Sequence, residues 1–314
     1  VLEGFVLELT NAIDKVDYEL KEIIELVDKI PILNKEMLEL GKKIQEITLC
    51  SLISAYQVML PKALKASIKT NINTKLIRYA VSNRKDMELI TYIENTKYEK
   101  QREFLKELIV KKKIKVDKLE SYLNTLEKNG LIKFIYEEDY RYKFNTNNSD
   151  NRVILNSEQE VCVNKVVNSF GISKTFLLYG VTGSGKTEVY MNIIEKAINN
   201  GMSAIMLVPE ISLTPQIVER FALRFGDNIA ILHSGLSDAE KYDEYRKITM
   251  GKVKIVVGAR SAIFAPLTNI GVIIIDEEHT ATYKQENHPR YHARDIAILR
   301  SEYHNCPIVL GSAT

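Results

Sequence analysis

A glycine-rich stretch in the second half of the chain has the residue types and spacing of a phosphate cradle. The segment GVTGSGKT fits the pattern G-x-x-x-x-G-K-[ST]. Its glycines let the backbone curl until successive N–H groups point at phosphate oxygens, beside the positive N-terminus of the following helix. Lys186 is expected to reach the β- and γ-phosphates, and the Thr187 hydroxyl to bind Mg²⁺. The residues predicted to contact nucleotide here are Gly180, Val181, Thr182, Gly183, Ser184, Gly185, Lys186 and Thr187.

An acidic segment supplies the other half of such a site. The apolar run GVIII is followed directly by Asp276, Glu277, Glu278 and His279. Asp276 is predicted to hold Mg²⁺ and Glu277 to orient or deprotonate the attacking water, so both are candidate catalytic residues together with Lys186. His279 is a candidate nucleotide contact. An acidic strand end can also be a helix cap, but its pairing with a phosphate loop favours nucleotide hydrolysis.

One upstream residue bears on the identity of the base. Gln159, in LNSEQ, precedes the first apolar strand. A glutamine amide can pair with both hydrogen-bonding positions on the outer edge of adenine. Gln159 is therefore predicted to favour ATP over GTP, which makes ATP and Mg²⁺ the expected cofactors.

A parallel sheet is needed to bring these groups together. After the turn-forming segment NTNNSDNR, short apolar runs alternate with helical patterns. These runs predict buried parallel strands with function at their C-terminal ends. We therefore predict an α/β domain over residues 147–314. The six predicted strands are TFLLYG, SAIMLVPE, IAILHS, VKIVVGAR, GVIIIDE and CPIVLGSAT.

The first half of the chain has a different organisation. Residues 16–98 are rich in lysine and glutamate with helical apolar spacing, including YELKEIIELVDKI, a helix capped by Asn34 and a third helix ending near MLPKALK. Residues 99–146 read as helix, turn, helix and a hairpin, LIKFIYEEDYRYKF, which is the plan of a winged-helix domain. The basic run Lys111–Lys113 could meet DNA phosphates or be a solvated turn, and winged helices also bind proteins.

Composition sets broad limits. The 314 residues carry a formal charge of +2, so nucleic-acid binding depends on local patches. No apolar run approaches the roughly 20 residues that span a bilayer, and no membrane partner is expected. Cys50, Cys162 and Cys306 are isolated, which predicts neither disulfides nor a zinc site and fits a cytoplasmic protein.

Further motifs indicate that the nucleotide site works together with a nucleic acid. The D-E-x-H box, VPEISLTPQ, GARSAIFAP and the final SAT occur in an order that resembles helicase superfamily 2 across residues 155–314. In TATYKQENHPRYHARDIA, aromatic and cationic residues interleave, so bases could stack on rings while cations meet phosphates. A loop that packs its tyrosines on the core is the alternative. The predicted DNA-binding residues are Arg260, Ser261, Tyr283, Lys284, Gln285, Arg290 and Tyr291.

At these residues the chain resembles the bacterial primosomal replication-restart helicases. DEEHTATYKQENHPRYHARDIA looks like the aromatic-rich loop of that family, and VTGSGKTEVY, LHSGLSDAEK and GARSAIFAPL match its other motifs. The resemblance implies a RecA-like helicase lobe 1 that drives ATP-dependent 3′→5′ unwinding at stalled or collapsed replication forks. It also implies forked and single-stranded DNA, primosome proteins, the replicative helicase and single-strand-binding protein as partners. A monomer is expected.

The same resemblance implies that further parts of such a helicase lie outside this chain. Residues 1–15 resemble the end of the family's N-terminal domain that captures a 3′ DNA end, and VLEGFVLELT alternates like a strand. The family's zinc ligands and second helicase lobe have no counterpart here. Because arginines of the second lobe contribute about 10³–10⁵ in rate, this chain alone is expected to bind ATP weakly and hydrolyse it slowly.

Two other functions remain open from the sequence. One is another superfamily 2 translocase, which the aromatic-rich segment argues against. The other is a non-catalytic DNA-binding adaptor with a vestigial nucleotide fold. The intact Lys186, Thr187, Asp276 and Glu277 argue against the adaptor, because a vestigial site has no reason to retain all four groups.

Overall fold

Two helices near the N-terminus lie where the sequence predicts them. The computed structural model describes residues 3–9, 19–28, 31–66, 72–144 and 153–313. Helix α1 spans Lys35–Thr48, and the side chain of Asn34 caps it by accepting a hydrogen bond of 2.8 Å from the Met37 N–H. Helix α2 spans Leu52–Met59 and is followed by a 3₁₀ turn at Lys62–Leu64.

Two predictions for the first thirty residues are wrong. Residues 3–9 form no strand, and residues 19–28 form no helix. In the second segment the predicted apolar stripe is exposed to solvent, with Ile24 81% exposed. An amphipathic helix of this length depends on burying its apolar face, and no described residue covers this one.

Residues Asn73–Arg141 form a separate compact unit. The unit therefore begins well before residue 99, and it contains a strand in the region that we predicted to be helical. Its three-stranded sheet has the order β2-β1-β3, with both neighbours antiparallel to β1. Its elements are β1 Leu76–Ser82, α3 Asp86–Asn95, α4 Glu99–Lys111, β2 Lys113–Lys115, α5 Ser121–Lys128 and β3 Ile132–Glu138.

The hairpin predicted for residues 131–144 is wrong. Strand β3 pairs over seven residues with β1, from Leu76 opposite Glu138 to Ser82 opposite Ile132. The returning half of the hairpin does not form, because Tyr142 and Phe144 pack on the core of the α/β domain. Both helices of the predicted winged-helix plan are present, and the winged-helix assignment itself stays a prediction.

The basic run Lys111–Lys113 is paired within this compact unit. Lys111 lies 2.7 Å from Glu107, Lys112 lies 2.7 Å from Asp86, and Lys113 bonds Glu137. DNA contact by this run stays a prediction.

All six predicted strands of the α/β domain are confirmed. They form one parallel sheet in the order β4-β9-β8-β5-β7-β6. The predicted linker Asn145–Arg152 lies outside the described residues. The elements are α6 Ser157–Val167, β4 Thr175–Tyr179, α7 Lys186–Asn199, β5 Ser203–Leu207, α8 Pro215–Phe225, β6 Ile229–Leu232, α9 Asp238–Thr249, β7 Ile255–Gly258, β8 Ile270–Ile275, α10 Ala293–His304 and β9 Ile308–Ser312.

Both faces of this sheet are covered except at the edge strand β4, where Leu177 and Tyr179 are exposed. Helices α6, α7 and α8 bury one face, with Tyr190 and Phe221 at its centre. Helix α10 and the N-terminal helices α1 and α2 belong to the core on the other face. A buried ion pair joins the two parts, because Arg300 donates to Glu36 at 2.6 and 2.9 Å. The N-terminal helices are therefore part of the structure that supports the sheet.

Candidate nucleotide and nucleic-acid sites

The glycine-rich loop follows β4 and turns directly into α7. The Gly180 N–H donates to the Ser312 carbonyl at 3.0 Å, which ties the start of the loop to the end of β9. Gly183 and Gly185 have φ values of +82° and +84°, a region that side chains with a Cβ rarely adopt. These two glycines allow the tight curl that directs backbone N–H groups to one point.

Lys186 and Thr187 open α7, where the helix N-terminus favours negative charge. The Lys186 ammonium donates to the carbonyl of Gly180 at 2.5 Å and lies 3.4 Å from that of Val181. The lysine therefore reaches back over its own loop, which is the position from which it could meet phosphate oxygens.

Gln159 lies against this loop. Its side-chain amide oxygen accepts from the Asn156 N–H at 3.0 Å, and its amide nitrogen donates to the Ser184 carbonyl at 2.9 Å. A Cβ at Gly185 would lie 2.5 Å from the same nitrogen, so the contact requires glycine there. Both polar atoms of the amide are bonded to protein, so adenine recognition by Gln159, which stays a prediction, would require these bonds to open.

Asp276 directly follows β8 and is held from two directions. Its carboxylate accepts a hydrogen bond of 2.9 Å from the Tyr190 hydroxyl on α7, and its main-chain carbonyl accepts one of 2.6 Å from Tyr283. The approach of Tyr190 depends on Gly311 in β9, where an added Cβ would lie 1.8 Å from the tyrosine oxygen. Tyr190 thereby joins Asp276 to α7, the helix after the phosphate loop. Tyr283 joins Asp276 to the segment that follows the acidic box, the D-E-x-H sequence of residues 276–279.

Burial, and secondarily the neighbouring Asp276, raises the pKa of both Tyr190 and Tyr283. The two phenols therefore stay protonated and act as hydrogen-bond donors. Asp276 keeps its second carboxylate oxygen for another ligand, because Tyr190 bonds only one oxygen.

Glu277 has a backbone conformation that is unusual for a residue with a side chain. Its φ is +46°, in the left-handed region, and such strained residues concentrate at functional sites. His279 is half exposed, 3.8 Å from the Glu277 carboxylate and 3.5 Å from the Ser312 hydroxyl. The acidic box is thus connected to the strand end that carries Ser312.

The donor set fits a magnesium–nucleotide complex. Thr187 opens α7, and Asp276 lies at the C-terminal end of β8, two strands from β4 in the sheet. Hydroxyl and carboxylate oxygens are ligand types that Mg²⁺ prefers. Within the described residues there is no cluster of three or more His, Cys, Asp or Glu side chains that could hold a metal ion by themselves.

The predicted DNA-binding residues fall into two groups by burial. Ser261, Lys284 and Arg290 are exposed, while Arg260 and Gln285 are partly exposed. Their segment is ordered by internal bonds: Arg260 donates to the Lys284 carbonyl at 2.8 Å, and Lys284 donates to that of Arg290 at 3.0 Å. The cationic groups of the loop are therefore held near its surface.

Tyr283 and Tyr291 form the other group. Their exposed fractions are 1% and 2%, and Tyr291 packs edge-on against Phe264 with ring centroids 4.9 Å apart. Burial raises the pKa of Tyr291 to about 12. This corrects the prediction of base stacking on these rings, because both ring faces are enclosed by the core in this structure. The alternative of tyrosines packed on the core describes them better.

Sequence reasoning assigned no role to Tyr190 or Gly311, which complete the surroundings of Asp276. Tyr190 lies one helical turn after Lys186, so the same helix face that carries the lysine points it toward the strand ends. A glycine inside a buried strand often marks a close approach of another group, and Gly311 is such a position.

Comparison with known proteins agrees with this geometry. The sequence profile of DEAD/DEAH box helicases matches residues 156–314, and that of the PriA 3′ DNA-binding domain matches residues 1–61, a longer stretch than the predicted 1–15. The replication restart protein PriA of Bacillus subtilis is 38% identical over 384 aligned residues, covering all of this chain and 48% of that protein. PriA of Synechocystis is 45% identical over 196 residues, covering 62% of this chain and 24% of that protein.

Solved structures resemble the helicase domain more distantly. The UvsW helicase of bacteriophage T4 is 19% identical, with a TM-score of 0.37, and covers 55% of this chain and 57% of its own. RecG bound to a three-way DNA junction is 22% identical, with a TM-score of 0.39, and covers 52% of this chain and 21% of its own. These scores are too low to carry an argument.

The chain spans about half the length of the Bacillus relative. No helix in the described part of the chain is long and apolar enough to cross a membrane. The family profile, however, matches just over half of this chain. The chain belongs to the DEAD/DEAH box helicase family, and the resemblance to the bacterial primosomal replication-restart helicases is confirmed.

Proposed function

We propose that this chain is the nucleotide-binding lobe, with adjoining DNA-binding regions, of an ATP-dependent 3′→5′ helicase that restarts replication at stalled or collapsed forks. The observation that carries the proposal is the double attachment of Asp276. The carboxylate bonds Tyr190 on the helix after the phosphate loop, and the carbonyl bonds Tyr283 in the segment after the acidic box.

In this proposal Lys186 and the loop backbone bind the phosphates, and Thr187 with Asp276 holds Mg²⁺. Bound Mg²⁺ would neutralise charge that develops on the phosphates. Glu277 orients or deprotonates the attacking water. Gln159 positions the loop through Ser184.

Single-stranded DNA is bound in this proposal by the exposed side of the segment after the acidic box. Lys284 and Arg290 meet phosphates, assisted by Arg260, Ser261 and Gln285. Because the hydroxyl of the buried Tyr283 bonds the Asp276 carbonyl, a displacement of this segment also displaces Asp276. Primosome proteins, the replicative helicase and single-strand-binding protein are the proposed partners of the complete, cytoplasmic protein, which works as a monomer.

Substitution of the phosphate-loop lysine tests the nucleotide assignment. Lys186→Ala should abolish binding of a fluorescent ATP analogue to this chain, because the loop loses its phosphate-facing cation. In the complete protein the same change should abolish fork unwinding while DNA binding persists. Lys196→Ala, near the other end of α7, is the matched control. Unchanged unwinding by the Lys186 variant would favour the non-catalytic adaptor.

A second pair of variants tests the coupling. Lys284→Ala with Arg290→Ala should remove stimulation of ATP hydrolysis by single strands and weaken DNA binding. Tyr283→Phe should reduce stimulation while DNA binding stays, because only its hydroxyl reaches Asp276. If stimulation survives in the phenylalanine variant, the tyrosine serves packing alone.

A further inference from the structure

An open groove with a volume of about 900 Å³ lies at the C-terminal ends of β5, β6 and β7. We call it the α2 groove, because its lining comes from two parts of the chain. One part belongs to the helicase domain and includes His233, Arg260, Ser261 and Lys284. The other is the end of α2 and the turn after it, and includes Ser54, Gln57, Lys62 and Lys65.

The ionisable lining of the groove is mainly cationic. Lys62, Lys65, Lys241, Arg260 and Lys284 line it together with three acidic residues and two histidines. A groove with this balance favours a polyanion over a cationic or apolar ligand. The acidic residues and histidines are Glu210, Asp238, Glu286, His233 and His288.

Most of these cations already have partners. Lys62 lies 3.1 Å from Asp238, Lys241 donates to the Ser234 carbonyl at 3.0 Å, and Arg260 and Lys284 bond carbonyls of the loop after the acidic box. Among the residues that the structure describes, the Lys65 ammonium has no hydrogen-bond or ion-pair partner, whereas its backbone N–H bonds the Lys62 carbonyl at 3.3 Å.

Lys65 is nevertheless half-buried. Burial lowers the pKa of its ammonium group, because a cation removed from water loses hydration. An anion that entered the groove would recover that loss, whereas a neutral ligand would not. Lys65 is therefore the group in the lining that gains most from a phosphate.

The wall that carries Lys65 is held in place before any ligand binds. Gln57 donates to the Ala66 carbonyl at 3.2 Å across the turn, and the Lys62–Asp238 pair ties the turn to α9. A second bond to α9 lies earlier in the N-terminal segment, where the Tyr245 hydroxyl donates to the Ile32 carbonyl at 2.8 Å. Binding would therefore require little ordering of the wall, which favours affinity.

We propose that a single-stranded DNA segment occupies the α2 groove, with phosphates contacted by Lys65 as well as by Arg260 and Lys284. The proposal rests on the proposed function and extends the DNA path to residues 54–65. An extended strand fits better than one free phosphate, because the groove is open, has a volume of about 900 Å³ and takes its cationic groups from separate parts of the chain.

The test is the salt dependence of DNA binding. Fluorescence anisotropy of a short labelled oligothymidylate is followed between about 50 and 200 mM salt, where each phosphate contact to a single strand contributes about 0.7 to the slope of log K against log salt. Lys65→Ala should lower the slope by about that amount and weaken binding several-fold. Lys65→Arg should restore both values, and Lys65→Glu should weaken binding further.

Lys165→Ala is the matched control, because Lys165 is an exposed lysine of α6, outside both the groove lining and the residues that the DNA-binding profile matches. It should leave slope and affinity unchanged. Thermal unfolding of each variant verifies that the chain is folded.

A second measurement locates the strand directly. An oligonucleotide carrying photoreactive thymidine should cross-link to the peptide containing residues 54–65, and an excess of inorganic phosphate at matched ionic strength should not prevent it. If the unaltered chain binds no single strand, the proposed function fails. If it binds but Lys65→Ala keeps the full slope and no cross-link maps to 54–65, the groove proposal alone is overturned. Competition by phosphate would assign the groove to a small anion instead.

Discussion

Charged side chains are held in two different ways in the two compact units. Around the sheet of the helicase domain, buried ions are bonded more than once: Glu188 on α7 bonds both the buried side chain of Arg224 and the exposed side chain of Arg220, and Arg300 bonds Glu36. In the unit spanning residues 73–141, pairs such as Lys111–Glu107 are exposed to solvent.

This difference shows in which part of the molecule ion pairs fix the positions of helices relative to the sheet. A buried ion that loses its partner costs several kcal/mol, so a buried pair holds its elements in one arrangement. An exposed pair contributes little and leaves its elements free to adjust. The buried ions lie on α1, α7, α8 and α10, which support the sheet that carries the nucleotide site, whereas the exposed Lys111–Glu107 pair lies on α4 of the other unit.

The largest expected effect follows from breaking the Arg300–Glu36 pair. Arg300→Ala should lower the free energy of unfolding by about 3–5 kcal/mol, because Glu36 would remain buried without its cation. The midpoint of urea unfolding, followed by circular dichroism, measures the loss. Lys43→Ala is the control, since it breaks the exposed Lys43–Glu46 pair on the same helix. Equal losses in both variants would show that burial does not decide how much an ion pair contributes to stability.

The pH dependence of the same pair gives an independent check. Burial alone would raise the pKa of the Glu36 carboxyl, but the His304 imidazole, whose Nε2 lies 3.0 Å from the carboxylate, and the charge and hydrogen bonds of Arg300 lower it below its ordinary value of 4.5. The stabilisation from ionised Glu36 is therefore present above that value and is lost as the pH falls through the lower folded pKa. The difference in unfolding free energy between the unaltered chain and Glu36→Gln should shrink over that acidic range.

A smaller effect is expected at Asp276, where the buried partner is a neutral phenol. Tyr190→Phe removes a hydrogen bond to a carboxylate worth about 1.5–3 kcal/mol. If Asp276 holds Mg²⁺, kcat for ATP hydrolysis by the complete protein should fall by about tenfold, as 1.4 kcal/mol of lost positioning corresponds to that factor. Nucleotide binding without Mg²⁺ should be unaffected.

Tyr179→Phe is the matched control for this variant, because Tyr179 is 67% exposed on β4. Its substitution should change neither quantity. If kcat and the magnesium requirement of Tyr190→Phe are unaltered, the Tyr190 hydroxyl has no role in positioning Asp276 for catalysis and serves only as a buried hydrogen-bonding group.

The sequence predicted the helicase domain more completely than the unit before it, for a physical reason. A buried parallel strand needs an uninterrupted apolar run, and all six runs stand out from the charged segments around them. Strand β1 is half-buried and carries Arg78 among its apolar residues, so it resembles the lysine-rich helical region in which it lies. The helix predicted over residues 18–30 failed because periodicity shows an apolar face but not whether another surface covers it.

The candidate site shows the same limit. Motif spacing located the phosphate loop and the acidic box, because their chemistry depends on local backbone shape. Motif spacing did not show that the side chains of Tyr283 and Tyr291 are buried. An aromatic residue beside a cationic residue gives the same sequence pattern whether its ring stacks on a base or packs in the core. Tyr190 also escaped notice, because its bond to Asp276 joins residues 86 positions apart in sequence.

The smallest expected effect is at the exposed pair on α4. Lys111 lies one turn after Glu107, at 2.7 Å, and their side chains are 61% and 47% exposed. Lys111→Ala should reduce the free energy of unfolding by only about 0.3–0.5 kcal/mol, because water solvates both ions and their side chains lose entropy on pairing. Combining it with Glu107→Ala in a double-mutant cycle isolates the coupling of the pair. A coupling energy comparable to that of Arg300 with Glu36 would mean that exposure does not decide what an ion pair contributes here, and the contrast between the two units would have to rest on packing instead.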